Sequence, residues 1–128
     1  MAIRVVRLGT PRTPNEGLRI GTVRRPPRGV KKEEYASGNW YDVWLPDIAP
    51  SAELLKQGQQ AATDKEWAAF AKQYRKELAA PDKSRTVALL AAFSTGSDFA
   101  IGCYCERKER CHMTVLCEVL AENGATFR

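Results

Sequence analysis

The sequence has little of what membrane-spanning, secreted or disulfide-bonded proteins require. Its longest apolar run, Val87 to Phe93, is seven residues long, whereas a membrane span needs about 20. Arg4 and Arg7 interrupt the apolar stretch at the N-terminus, so we expect no signal peptide and a cytoplasmic location. Four cysteines in 128 residues are too few for a disulfide scaffold, and we expect them to be reduced thiols.

Acidic residues are scarce at one end of the chain. Residues 1–32 contain nine arginines and lysines against a single acid, Glu16, which is a balance of +8, whereas residues 33–128 carry a balance of −3. A basic region of this kind is typical of proteins that bind an anionic partner, either a small molecule or a nucleic acid. The alternative is that these cations are simply solvated along strand edges. We expect no membrane partner, and the oligomeric state stays open.

Apolar periodicity and breaker residues predict strands that alternate with helices. Strands are expected near residues 3–8, 18–24 and 99–105, and helices near residues 52–57, 63–78 and 111–122. Residues 84–94 are expected to form a helix, with a buried strand as the alternative. This order predicts an α/β fold, a small three-layer or two-layer sandwich with a partly parallel sheet. The length is that of a single domain, residues 1–128.

Histidine is the scarcest of the chemically useful residues, and its position is informative. All four cysteines and the single histidine, His112, lie within fifteen residues, from Cys103 to Cys117. This window is predicted to contain the end of a strand, a charged loop and the start of a helix. Ligands of open α/β sheets bind beyond the carboxyl ends of the strands, and a helix N-terminus there presents unpaired amides. We therefore expect the functional site at this junction.

The first hypothesis for the junction is an anion site. A phosphate-containing ligand, either a nucleotide or a nucleic acid, would lie between the basic loop Arg24–Lys32 and the N-terminus of the last helix. The predicted ligand-binding residues come from both segments and are Arg24, Arg28, Gly29, Arg107 and Arg110. The aromatic residues Trp40, Tyr41 and Trp44 are predicted to be core or interface residues rather than a stacking surface.

The second hypothesis is thiol chemistry. Cys105 or Cys111 would act as the nucleophile with His112 nearby, because a helix N-terminus and basic neighbours favour the thiolate. The Cys-x5-Arg loop of phosphatases is not present, since Cys111 stands at the position of its Arg. We therefore predict a thiol-dependent enzyme only as an alternative to ligand binding.

The third hypothesis is a metal site, with zinc or iron as the metal and no other cofactor expected. The candidate ligands supply three thiols and an imidazole, the donor count of a tetrahedral zinc site, and are Cys103, Cys105, Cys111 and His112. Their spacing differs from that of common zinc knuckles, and the adjacent Cys111 and His112 would have to converge from a helix start. The simplest alternative is packing, with the cysteines, Cys117 above all, as small core residues.

Four segments occur in an order that resembles a known family. They are PPRGVKKE (26–33), WLPDIAPSAEL (44–54), WAAFAKQYRKEL (67–78) and CYCERKERCH (103–112). Together they are similar to the domain-of-unknown-function family 488, and to its YeaO-like branch in particular, over residues 3–124. The resemblance implies an intracellular α/β domain of a mostly prokaryotic family, and it brings no established reaction.

The motifs of that family carry over to this chain with two departures. The arginine loop of the family corresponds to Arg24, Pro27, Arg28 and Gly29, but Pro26 stands where the family has Trp. Its late motif corresponds to Cys105, Cys111 and His112, but Met113 stands where the family has Arg. If that Arg contacts an anion in relatives, either Arg107 or Arg110 replaces it here or the activity is altered. The two middle segments match at Ala49, Pro50, Ser51, Glu53 and Leu54, and at Phe70, Tyr74, Glu77 and Leu78.

Overall fold

The computed structural model describes residues 1–105 and 111–128, in which three strands are followed by three α-helices, a fourth strand and a fourth α-helix. Four strands form one sheet: β1 Ile3–Arg7, β2 Leu18–Gly21, β3 Val43–Trp44 and β4 Phe99–Cys103. The α-helices of the same residues are α1 Ala52–Gln60, α2 Asp64–Leu78, α3 Pro81–Ser94 and α4 His112–Glu122, and short 3-10 helices span Lys32–Glu34 and Pro46–Ile48. The predicted α/β fold is therefore confirmed. None of the described helices is both long and apolar enough to cross a bilayer.

The sheet is parallel in all of its described strand pairs, and its strand order is β1-β4-β2-β3. Strand β4, the last of the four in sequence, is inserted between β1 and β2, so that Ile101 is level with both Val5 and Ile20. Every residue of β4 is buried, as expected of a central strand that is covered on both faces. Because the strands are parallel, the carboxyl ends of β1, β2 and β4 meet at one edge of the molecule.

Helix α4 and the segment before β3 lie against opposite faces of the sheet. Thr22, one residue past β2, contacts Met113 of α4, with 3.1 Å between the hydroxyl oxygen and the sulfur. The preceding residue, Gly21, faces the opposite way, and the ring of Tyr41 lies against it. The helices also pack on one another, in the pairs α1–α2, α2–α3, α2–α4 and α3–α4.

Local sequence explains where the helices begin. Ser51 caps α1 by accepting a hydrogen bond from the amide of Leu54 at 3.3 Å. Thr63 caps α2 by accepting from the amide of Glu66, and its hydroxyl donates to the Glu66 carboxylate, each at 3.1 Å. This is the capping box that the sequence predicts. Helix α2 then buries one face, formed by Phe70, Tyr74 and Leu78.

A buried ion pair holds the loops that cover the second face of the sheet. Arg19 and Glu16 have side chains that are 0% and 2% exposed, and the guanidinium donates from Nε and Nη2 to the two carboxylate oxygens, each at 2.8 Å. Its Nη1 donates to the carbonyl oxygens of Thr10 and Asn39, at 2.8 and 2.7 Å. The hydrogen bond from Arg19 lowers the pKa of the Glu16 carboxyl, although burial opposes this shift. One side chain thereby fixes the loop after β1 and the loop before β3.

Replacing Glu16 by Gln should destabilise the protein by about 3–5 kcal/mol, because the charge of Arg19 would stay buried without its partner. Urea denaturation monitored by circular dichroism measures the loss. The matched control is Glu118→Gln, which breaks the exposed pair of Arg75 with Glu118, and a much smaller loss is expected there. Equal losses in the two variants would contradict the role given to the buried pair.

The difference in unfolding free energy between the wild type and Glu16→Gln should also depend on pH. The pKa of Glu16 is lowered on folding, so its carboxylate stabilises the fold fully above the ordinary glutamate pKa of about 4.3. That contribution is lost as the pH falls through the lower, folded value. The unfolding free energies of the two proteins, measured by denaturation at decreasing pH, should therefore converge in acid. A difference that stays constant with pH would refute the assignment.

Candidate functional site

Four donor side chains converge where β4 ends and α4 begins. Cys103 is the last residue of β4, Cys105 lies two residues beyond it, Cys111 is the N-cap of α4 and His112 is its first residue. The three sulfur atoms and one imidazole nitrogen all lie within 4.8 Å of one another. The structure thus brings together the four residues that the sequence proposed as metal ligands, here called the Cys3His group.

The Cys3His group is largely shielded from solvent. Cys103, Cys111 and His112 are buried, with 5%, 4% and 6% exposure, while Cys105 is exposed. The sulfur atoms of Cys103 and Cys111 are 3.0 Å apart, and both residues are free thiols. Cys117, half-buried in α4, lies outside the group. The sulfur of Cys105 is therefore exposed to solvent, whereas the other three donors of the group are buried.

Hydrogen bonding orients the imidazole of His112. Its Nε2 lies 2.9 Å from the carbonyl oxygen of Thr22, and because a carbonyl only accepts, Nε2 carries the hydrogen. Nδ1 then offers a lone pair to a metal when the ring is neutral, and it donates a hydrogen bond to a thiolate when the ring is protonated. The buried ring of Tyr74 packs edge-on against the imidazole, with ring centroids 6.0 Å apart.

Hydrogen bonding lowers the pKa of Cys105 and so favours its thiolate form. Hydrogen bonds from Cys103 and Cys111, joined by one from His112, lower the pKa of the Cys105 thiol against partial desolvation. The hydrogen bond to Cys105 is the main cause that raises the pKa of Cys103. The hydrogen bond with Cys103 lowers the pKa of Cys111, but the bond to Cys105 and burial outweigh it and raise that pKa. These shifts favour the thiolate form of Cys105 over that of Cys103 or Cys111, and the positive N-terminal end of α4 favours a negative charge nearby.

The donor set fits a tetrahedral metal ion. Zinc binds thiolates at about 2.3 Å and imidazole at about 2.0 Å, which places neighbouring ligand atoms about 3.5–3.8 Å apart. The donor atoms span distances from 3.0 Å, between the sulfurs of Cys103 and Cys111, to no more than 4.8 Å. Small side-chain rotations are therefore sufficient to form the coordination shell. The bond from His112 to a backbone carbonyl is also of the kind that orients metal-binding histidines.

The predicted arginine loop has a fixed part and an exposed part. Arg24 donates from Nε to the carbonyl oxygen of Pro50 and from Nη2 to that of Ala49, each at 2.9 Å, and so connects the end of β2 to the start of α1. Arg28 and Gly29 are exposed, and Gly29 has a φ of +72°, a left-handed conformation that glycine adopts without strain. A ligand-binding role for these three residues stays a prediction.

Other residues of the family resemblance hold the same backbone segment. The hydroxyl of Tyr74 donates to the carbonyl oxygen of Ile48, and the carboxylate of Glu77 accepts from the amide of Ser51 at 3.0 Å. With Arg24, these bonds join the end of β2, the start of α1 and the middle of α2. Because Tyr74 also contacts His112, the same packing supports the imidazole of the Cys3His group.

A large cleft opens at the carboxyl edge of the sheet, beside the Cys3His group. Its volume is about 1250 Å³, and its lining includes residues that follow β1, β2 and β4, together with one face of α1. Tyr104 lines the cleft and lies between Cys103 and Cys105 in the chain, so the cleft and the group share one segment. Of the predicted ligand-binding residues, Arg28 is in this lining, whereas Arg107 and Arg110 lie outside the described residues.

Sequence reasoning did not single out several residues that line the cleft. Arg25 and Tyr104 lie inside the two segments that it did single out, so their proximity was a usable signal. Trp40 and Lys56 come from segments without a motif, and the carbonyl of Thr22 that orients His112 has no signature in sequence at all. Trp40, Lys56 and the Thr22 carbonyl reach the site through contacts between segments that are far apart in sequence.

A second, smaller cavity adjoins the thiols. It has a volume of about 290 Å³, and it is lined by all four cysteines together with Met113 and Thr114 of α4 and the end of β1. The cysteines therefore border open space, which a cluster of cysteines that serves only for packing does not require.

The comparisons with known proteins agree with the resemblance seen in the motifs. A sequence model described as the active DUF488-N3 subclade matches residues 3–124. The chain is 38% identical over 79 residues to the "Uncharacterized protein YeaO" of Escherichia coli (strain K12). The aligned part covers 62% of this chain and 64% of YeaO, so the chain spans less than two thirds of that relative. No solved structure matches the chain.

In metal-free protein, iodoacetamide should alkylate Cys105 first, about tenfold or more faster than Cys117. Cys105 is exposed and its pKa is lowered, whereas burial raises the pKa of Cys117 to about 11. Peptide mass mapping after short exposure at neutral pH gives the order of modification. If the four thiols react only after denaturation, the account of a solvent-facing thiolate is wrong.

Proposed function

The chain belongs to domain-of-unknown-function family 488, and we propose that its Cys3His group is a metal centre that binds zinc. The observation that carries this proposal is the convergence of the four donor atoms to within 4.8 Å. Three cysteines and one histidine are a ligand set of structural zinc sites. Iron, which also accepts thiolate and imidazole ligands, is the alternative metal.

A bound zinc ion would join β4 to α4. Four protein ligands fill a tetrahedral shell, so such a site has no open position for a substrate, and its role would be to stabilise the fold. Cys103 and Cys105 would bind it from the strand side, and Cys111 and His112 from the helix side. The ion would also offset the charge of the thiolates and hold Tyr104, which lies between two of its ligands.

A second candidate function is thiol chemistry at Cys105. It is favoured by the exposure of this sulfur and by its lowered pKa, and the description of the subclade as active supports it as well. A thiolate beside an imidazole is an arrangement of cysteine nucleophiles, and His112 lies within 4.8 Å. Cys111, the other nucleophile considered, is buried with a raised pKa. Zinc binding and nucleophilic attack use the same sulfur lone pair, so zinc should inhibit any such reaction.

An anionic, phosphate-containing ligand remains part of the proposal, but its position changes. A thiolate at Cys105, close to Cys111 and His112 at the start of α4, offsets part of the positive potential that this end of the helix offers to a second anion. Arg24 is engaged with two backbone carbonyls, while Arg28 lines the cleft. The cleft, rather than the helix N-terminus, is therefore the better place for the anion.

The purified protein should bind one zinc ion per chain, and Cys105→Ser or Cys111→Ser should weaken binding by about 100-fold or more, since each removes a thiolate ligand. Native mass spectrometry gives the stoichiometry, and competition with a chromogenic chelator gives the affinity. The affinity should fall as the pH falls, because Cys103 and Cys111, whose pKa values are raised, must lose their protons to bind the metal.

Cys117→Ser is the matched control for these variants, because it removes a thiol of α4 that lies outside the Cys3His group. Its zinc affinity should equal that of the wild type. Cobalt in place of zinc should give the visible absorption of a tetrahedral site and a thiolate-to-metal charge-transfer band. A chain that binds neither metal, or a control that loses as much affinity as the ligand variants, would contradict the proposal.

A further inference from the structure

The described residues that line the cleft at the carboxyl edge of the sheet carry positive charge. The basic ones are Arg7, Arg25, Arg28 and Lys56, and no Asp or Glu occurs among the described lining residues. Arg25, Arg28 and Lys56 are exposed, and none of them forms an ion pair with another described residue. Cations without a local counter-charge favour a ligand with several anionic oxygens, such as a phosphate chain.

Two aromatic rings form one wall of the cleft. Trp40 and Tyr104 are half-buried and pack edge to face, with ring centroids 6.1 Å apart and an interplanar angle of 69°. The Tyr104 hydroxyl donates to the carbonyl oxygen of Arg25 at 2.9 Å, which fixes this ring beside the arginine loop. Gly9 lies so close to the indole that a Cβ there would be 2.9 Å from it. Both rings are therefore held in place, and their remaining surface is available to a planar group.

The position and size of the cleft narrow the class of ligand. It lies beyond the carboxyl ends of β1, β2 and β4, where open α/β sheets bind their ligands. Its volume of about 1250 Å³ is larger than inorganic phosphate needs, and small-molecule sites usually enclose about 300–1000 Å³. A ligand that uses all of these features combines a planar ring system for the aromatic wall with phosphates for the cations.

We propose that this cleft binds a nucleotide unit, with its phosphates on Arg25, Arg28 and Lys56 and its base against Trp40 and Tyr104. The unit is either a free nucleoside phosphate or part of a single-stranded nucleic acid, since both present the same base and phosphate. The inference rests on the anionic ligand proposed above and names its class. It does not require a bound metal, because none of the side chains that line the cleft belongs to the Cys3His group.

Isothermal titration calorimetry of the whole chain with ATP tests the phosphate part. The Arg25→Gln/Arg28→Gln variant should bind ATP about 100-fold more weakly than the wild type, because the charge-assisted hydrogen bonds of each arginine are worth about tenfold in affinity. The control is Lys72→Gln/Arg85→Gln, which removes two exposed charges of α2 and α3 away from the cleft. It should bind as the wild type does, and equal losses of affinity in both variants would overturn the proposal. Circular dichroism verifies that each variant is folded.

Inorganic tripolyphosphate separates the contribution of the base from that of the phosphates. It should bind the wild type at least about tenfold more weakly than ATP, because it has no ring to stack on the aromatic wall. Trp40→Leu should weaken ATP binding and leave tripolyphosphate binding unchanged. If tripolyphosphate binds as tightly as ATP, the cleft is a plain polyanion site and the inference is wrong.

A short single-stranded oligothymidylate distinguishes the two sources of the nucleotide unit. Tighter binding than ATP, with an affinity that falls steeply as salt rises, would assign the cleft to a nucleic acid strand. Tighter binding of ATP with a shallow salt dependence would assign it to a free nucleotide. Either result supports the inference, provided that binding of the probe is weaker in the Arg25→Gln/Arg28→Gln variant. If neither probe binds, the inference is contradicted, while the zinc proposal stays intact.

Discussion

The buried guanidinium of Arg19 is the contact on which the loop side of the molecule depends. It neutralises Glu16 and binds the carbonyl oxygens of Thr10 and Asn39, so a single side chain holds two loops against the sheet. Thr10 lines the cleft and Trp40 directly follows Asn39, so the same guanidinium also sets the separation of two cleft walls. Because a buried charge without its partners is costly, these loops have one arrangement although they contain little regular structure.

On the helical side, a second set of hydrogen bonds serves the Cys3His group. Arg24, Tyr74 and Glu77 bind backbone groups of the segment 48–51, and Tyr74 also packs against the imidazole whose Nε2 is bonded to the carbonyl of Thr22. Tyr104 then links the group to the cleft through its bond to Arg25. Many residues that carry the family resemblance therefore position other groups, and the cysteines and the histidine supply the metal-binding and nucleophilic atoms.

Sequence patterns were informative where the determining contacts are local. Thr63 and Glu66 are sufficient to predict the start of α2, and the window from Cys103 to His112 contains the whole donor set. These patterns could not predict the insertion of β4 between β1 and β2, which brings Thr22 to His112 across 90 residues. Arg19 has the pattern of a solvated strand residue, and its burial depends on partners that the fold supplies, although Glu16, the one acid of the basic region, was a hint. Trp40 packs against the core, as expected, but its place in the cleft wall beside Tyr104 depends on contacts between distant segments of the chain.

The central claim is that the four donors bind one metal ion together, and X-ray absorption at the metal edge of the protein loaded with zinc tests it most directly. The account predicts a first shell of three sulfur atoms at about 2.3 Å and one nitrogen at about 2.0 Å, with the outer-shell scattering of an imidazole. Cys117→Ser should give the same spectrum, since its sulfur lies outside the group. A first shell of oxygen and nitrogen alone, or one with a single sulfur, would show that the donors do not act together and would contradict the account.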